Sequence, residues 1–141
     1  MSGWRSCRLA LIIVVTLAST TACSSPPEIA ISDVSIPAPL PSSASIYLSI
    51  ENRGGTSDRL IGVDSSDVEA SLHRTTIAAD GLTSMVPVKE IEIPDGETVR
   101  LEPGSLHLMV TTDSTFESGQ EIPLTLTFET SGAISTVAVV E

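Results

Sequence analysis

Apolar and polar residues alternate along short stretches of this chain, with the period of two that a strand gives and without the longer period of a helix. Ile46, Leu48 and Ile50 share one parity, as do Ile122, Leu124, Leu126 and Phe128, so each run predicts a strand with one face on a core. Leu106, Leu108 and Val110 repeat the pattern, as do Val68, Ala70 and Leu72, and Val86 with Val88. Turn signals punctuate these runs at Gly54-Gly55, Asp80-Gly81, Pro94-Asp95-Gly96, Pro103-Gly104, Ser118-Gly119 and Ser131-Gly132. Many short strands at this spacing, with few aromatic residues, predict an all-β fold, an antiparallel sandwich or barrel.

The N-terminus follows a different logic. Arg5 and Arg8 precede an apolar run at residues 9–17 that is shorter than the roughly 20 residues a membrane-spanning helix needs, as in a secretory signal. It ends in Ser19-Thr20-Thr21-Ala22-Cys23, where small residues lead up to a cysteine as in a bacterial lipoprotein signal, although Thr20 stands where leucine is usual. Cys23 is then the expected lipidation site, residues 1–22 the removed signal, residues 23–27 a short lipid-anchored tether and residues 28–141 one domain. The competing reading is ordinary cleavage near Ala22, which leaves Cys23 as an exposed free thiol, a liability in an oxidising compartment. The other cysteine, Cys7, lies within the signal, so the mature fold relies on its apolar core and not on an internal disulfide. Removal of the signal leaves 119 residues, enough for one core. The expected location is the extracytoplasmic face of the cell membrane.

Charge narrows the partners. All 18 acidic residues but only five of the seven basic ones follow Cys23, a formal charge of −13 for the mature chain with histidine neutral. Nucleic acid is excluded as a partner, since its phosphates need lysine and arginine to displace their counterions.

Chemistry concentrates in one stretch. The chain has two histidines, His73 and His107, and its methionines after the initiator are Met85 and Met109. Imidazole and thioether together form the soft ligand set suited to monovalent copper. Parity turns each of the four to the non-core face of its own strand, which permits one common site without proving it: with Leu106, Leu108 and Val110 inward, His107 and Met109 take the outer face, about 6.6 Å apart by strand rise. The same argument turns His73 outward with Ser71 and Glu69, and leaves Met85 with Pro87 and Lys89. The expectation is a shallow site on exposed strand faces, lacking a thiolate and so unlike a blue-copper electron carrier. No nucleophile stands beside a histidine in a motif, so an enzyme is not expected.

At this spacing the four residues resemble the ligands of the periplasmic copper chaperones with the PCu(A)C domain. That family's motif is a histidine often followed by methionine, ten residues, a methionine, twenty-one residues, and His-x-Met. His73, Met85, His107 and Met109 match it, with Arg74 in place of the optional methionine, which would set a cation near the metal. Tyr47-Leu48-Ser49-Ile50-Glu51-Asn52, Ser57-Asp58-Arg59-Leu60 and Glu102-Pro103-Gly104-Ser105-Leu106-His107-Leu108-Met109 are similar to family segments around the motif. The resemblance implies a cupredoxin-like, Greek-key antiparallel β-sandwich that binds Cu(I), in some members Cu(II), and passes it toward the copper centre of cytochrome c oxidase or to another assembly chaperone. A copper store without a delivery partner and a lipid-anchored, metal-independent binding module are the alternatives.

Overall fold

The computed structural model describes residues 24–141 apart from 38 and 40, and places there ten strands and no helix. The signal segment, Cys7 and Cys23 lie outside the described residues. The strands are β1 (Ile29–Ser35), β2 (Ser43–Asn52), β3 (Asp58–Asp64), β4 (Glu69–Ile77), β5 (Thr83–Pro87), β6 (Ile91–Ile93), β7 (Thr98–Leu101), β8 (Leu106–Thr111), β9 (Glu121–Phe128) and β10 (Gly132–Val139). They form two sheets, one in the order β1-β2-β8-β4-β5 with β7 also on β2, the other β10-β9-β3-β6. Every strand pair is antiparallel, and one parallel bridge joins Ile36 to Val140.

The core is what the alternation predicts. Ile46, Leu48 and Ile50 from β2 and Ile122, Leu124, Leu126 and Phe128 from β9 are buried and meet between the sheets, together with Leu108 and Val110 from β8 and Leu72 from β4. Burying each such side chain contributes about 1.5–3 kcal/mol, and with no disulfide in the domain this apolar layer is the main source of stability. β5 departs from the pattern. It is the edge strand of its sheet and both its faces are open, so Val86, expected inward, is exposed, and only Val88 beyond it packs on the core.

Two irregularities matter for the site. β7 and β8 lie on the same edge of β2 and run in the same direction: Leu101 pairs with Leu48 and Leu108 with Ile46, so Tyr47 alone opposes residues 102–107. A tight turn fills the gap, with the Ser105 amide donating to the Glu102 carbonyl at 3.1 Å and the Glu102 amide to the Leu106 carbonyl at 2.9 Å. Gly104 sits in it at φ 80°, a left-handed conformation that costs other residues about 1–2 kcal/mol.

The second irregularity is at the opposite end of β2. Asn52 is completely buried and all its side-chain capacity is used. Its Oδ1 accepts from the Glu28 and Gly54 amides at 3.1 and 3.0 Å, and its Nδ2 donates to the Thr56 and Ile93 carbonyls at 2.8 and 3.3 Å. Residues 25–28 run along this turn and are not a free tether. The Gly55 amide donates to Ser25 Oγ at 2.9 Å, the Thr56 hydroxyl to the Ser25 carbonyl at 2.7 Å, and the Arg53 amide to the Glu28 carbonyl at 2.8 Å.

Candidate metal centre

β8, β4 and β5 carry the four predicted residues, and register puts all four on one face. His73 pairs directly with His107 across the β4–β8 ladder, while Ser71 pairs with Met109 and Thr75 with Met85. The two methionines therefore flank the histidine pair on opposite diagonals. Their side chains nevertheless share one groove of about 270 Å³, lined also by Pro37, Ser43, Ala44, Ser45 and Tyr47, so Met85 reaches back across β4 toward β8.

Parity fixes the face but not the depth. His107 is only 1% exposed, whereas Met85 is 52% exposed. The expected shallow site is thus graded, with an imidazole at its floor and a thioether at its rim. His107 has His73 opposite it and the 102–105 turn folded back beside it.

The ring nitrogens divide into held and free. His107 Nδ1 lies 3.3 Å from the Ser105 carbonyl, and since a carbonyl only accepts, this contact places the proton on Nδ1 and leaves the Nε2 lone pair bare. The same carbonyl accepts the Thr75 amide at 2.9 Å, which fixes its direction. His73 Nε2 lies 3.4 Å from the Ser71 hydroxyl. The remaining nitrogens, His73 Nδ1 and His107 Nε2, are both buried and have no hydrogen-bond partner. Leaving a buried polar atom unpaired costs about 1–3 kcal/mol, so two in one site mark a place that a further group completes. The rings meet edge to face at 6.0 Å between centroids and 68° between planes. Burial lowers the pKa of His73 below its ordinary value, and the neighbouring His107 lowers it further, both favouring the neutral form that a metal ligand needs.

A soft, low-charge metal ion fits this donor set. Among the described residues no group of three or more His, Cys, Asp or Glu side chains is placed to hold a metal, so neither a zinc-type nor a calcium-type site competes with it. A larger depression of about 560 Å³ near Asp67, Glu69 and Asp113 contains no buried unpartnered nitrogen and belongs to the other end of the strands.

Arg74 is not beside the site. It pairs with Leu106 and Val86, one residue along from His73, and so points to the opposite face of β4. Alternation alone would have placed it there. The residues not singled out in the sequence are Tyr47 and Ser45, which line the groove from β2, and Ser105, whose contribution is a backbone carbonyl without any side-chain signature.

Comparison with known proteins gives the same fold and family. The family model "Putative lipoprotein LpqE-like" matches residues 29–140. "Putative lipoprotein Lxx21020" of Leifsonia xyli subsp. xyli is 33% identical over 92 residues, 64% of this chain and 55% of that protein, so the match spans about half of the relative's length. The copper-bound PCuAC domain from PmoF2 is 29% identical with a TM-score of 0.65, covering 83% of this chain and 95% of that domain. Its apo form is 27% identical with a TM-score of 0.62, over 82% and 94%. The apo PCuAC domain from PmoF1 shares the fold at 21% identity and a TM-score of 0.66, over 81% and 96%.

Proposed function

Because the chain belongs to the LpqE-like lipoprotein family, a PCuAC-type family, we propose that it is an extracytoplasmic copper carrier that holds one Cu(I) through His73, Met85, His107 and Met109. The observation that carries this reading is the pair of buried, unpartnered nitrogens, His73 Nδ1 and His107 Nε2, on cross-strand partners whose rings meet at 6.0 Å, with both methionines on the same sheet face lining one groove. Neutral imidazoles and thioethers favour Cu(I) over hard cations, and without a thiolate the site binds a cargo it can also give up. It is a carrier and not an enzyme.

The gradient of exposure sets an order of release. An incoming ligand reaches the ion from the Met85 side, displaces that exposed thioether first, and draws the ion away from the buried His107 last. The acceptor we propose is the copper centre of cytochrome c oxidase or a chaperone that serves it. Cys23, acylated, would hold the protein on the outer face of the membrane, as the family's description as lipoproteins supports.

The test is a Cu(I) competition titration on the mature domain, with X-ray absorption on the loaded form. Stoichiometry of one and copper–sulfur scattering are expected. Absence of copper–sulfur scattering, or a thermal midpoint that copper leaves unmoved, overturns the assignment.

A further inference from the structure

Residues 23–27 read in sequence as a tether ahead of a domain that opens at Glu28, yet Ser25, Pro26 and Pro27 already lie against the 52–56 turn. Ser25 holds the Gly55 amide and the Thr56 hydroxyl, Glu28 holds the Arg53 amide, and the fully buried Asn52 binds Glu28 on one side and Gly54 and Thr56 on the other. Gly54 permits the close approach: a Cβ there would overlap the Pro26 carbonyl oxygen and lie 2.6 Å from Pro27 Cα. Ser24 directly follows Cys23, so an acyl group on Cys23 would leave the domain from a point two residues before a hydrogen-bonded one.

We propose that this clasp fixes how the domain stands on its membrane anchor, with the end of the sandwich at Asn52 facing the bilayer and the histidine–methionine groove facing away. The proposal rests on acylation of Cys23. Tyr47, at the groove, and Asn52, at the clasp, are five residues apart on β2, about 17 Å at strand rise. The short attachment, two residues from Cys23 to the hydrogen-bonded Ser25, sets this orientation and surface charge does not, since acidic residues stand at both ends: Glu28, Asp95, Glu97 and Glu129 at the clasp, Asp67, Glu69 and Asp113 at the other. The groove is then offered to protein partners whose own metal site stands clear of the headgroups, and not to one lying flush with them.

The experiment uses the acylated mature protein reconstituted in anionic vesicles containing acceptor-labelled lipid headgroups. With Cys23 acylated and Cys7 removed with the signal, a single new cysteine takes the donor dye: Asp95→Cys beside the clasp, or Ser66→Cys at the far end. Energy transfer from position 95 should clearly exceed that from position 66. A flexible Gly/Ser insertion between Cys23 and Ser24, which leaves the fold intact, should abolish the difference, and Gly54→Ala should do the same by opening the clasp; Cu(I) affinity should stay unchanged in both. Equal transfer from the two positions in acylated wild type, or a difference that survives the insertion, overturns the fixed orientation alone. Mass spectrometry showing no acyl group on Cys23 overturns the anchor and this orientation together, while a failed copper titration bears only on the metal site.

Discussion

His73 and His107 stand directly opposite each other across the β4–β8 ladder, and each carries a buried nitrogen with no hydrogen-bond partner. A cross-strand pair of this kind is held by backbone register, so the two imidazoles are brought together by the sheet itself before any ion arrives. On the proposed reading, a bound ion would supply the partner that both nitrogens lack.

Met109→Leu tests the thioether on β8. The substitution keeps approximate volume, so it should cost less than about 1.5 kcal/mol of stability. Cu(I) affinity should fall and the copper–sulfur signal should weaken. Unchanged affinity in a competition titration would remove Met109 from the ligand set.

Mild acid should weaken copper binding, because protons compete for the imidazole nitrogens. His73 is held below the ordinary histidine value near 6.5 by burial and by His107, so competition at this residue begins at a lower pH than for a free histidine. Fold stability carries the same sign. The unfolded chain takes up its proton near 6.5 while folded His73 resists, so its contribution is complete above that pH and is lost as pH falls toward the folded value. Melting curves of the copper-free protein between pH 8 and roughly pH 5 check this, and His73→Gln should flatten the trend.

Gly104→Ala probes the turn that aims His107. An alanine at φ 80° costs about 1–2 kcal/mol, and relief of that strain shifts the Ser105 carbonyl that faces His107 Nδ1. Both the thermal midpoint and Cu(I) affinity should drop. A loss of stability with full retention of affinity would show that the turn does not position the ligand.

Asp58 is a structural carboxylate far from the groove. Only 2% exposed, it accepts the Arg59 and Thr130 amides at 2.7 and 2.9 Å and the Ser131 amide at 2.9 Å. Burial opposes its ionisation, but the donors from Ser131, Thr130 and Arg59 outweigh burial and hold it below its ordinary value. The stability it contributes is therefore present above the unfolded carboxylate range near 3.9 and is lost as pH falls through the lower folded value. Asp58→Ala should cost about 3 kcal/mol in denaturant unfolding and leave copper affinity untouched.

Alternation was enough to find β2, β4, β5, β8 and β9 and the face on which the four side chains sit, because the period of a strand is insensitive to what packs above it; β1, β3, β6, β7 and β10 gave no such run. Depth was not legible. His107 is buried beside His73 and the 102–105 turn, and Val86 is exposed on the edge strand β5; both depend on tertiary placement, which local pattern does not encode. Ser105 was invisible for another reason, since a carbonyl belongs to every residue. Asn52 ahead of Gly54-Gly55 was read only as a turn, yet an asparagine closing a long strand before two glycines is itself a cue for a chain crossing close by.

The turn between β7 and β8 also bears on how such a protein can change. Leu101 and Leu108 hold β2 on either side of it, and residues 102–105 form a detour that adds no side chain to the apolar core. Apart from Gly104, whose left-handed conformation is fixed, side chains in that detour are free to vary without disturbing the core. The fold thereby separates what must be inherited from what is free to diversify, and on the proposed reading the surroundings of His107 can be retuned without solving the folding problem again.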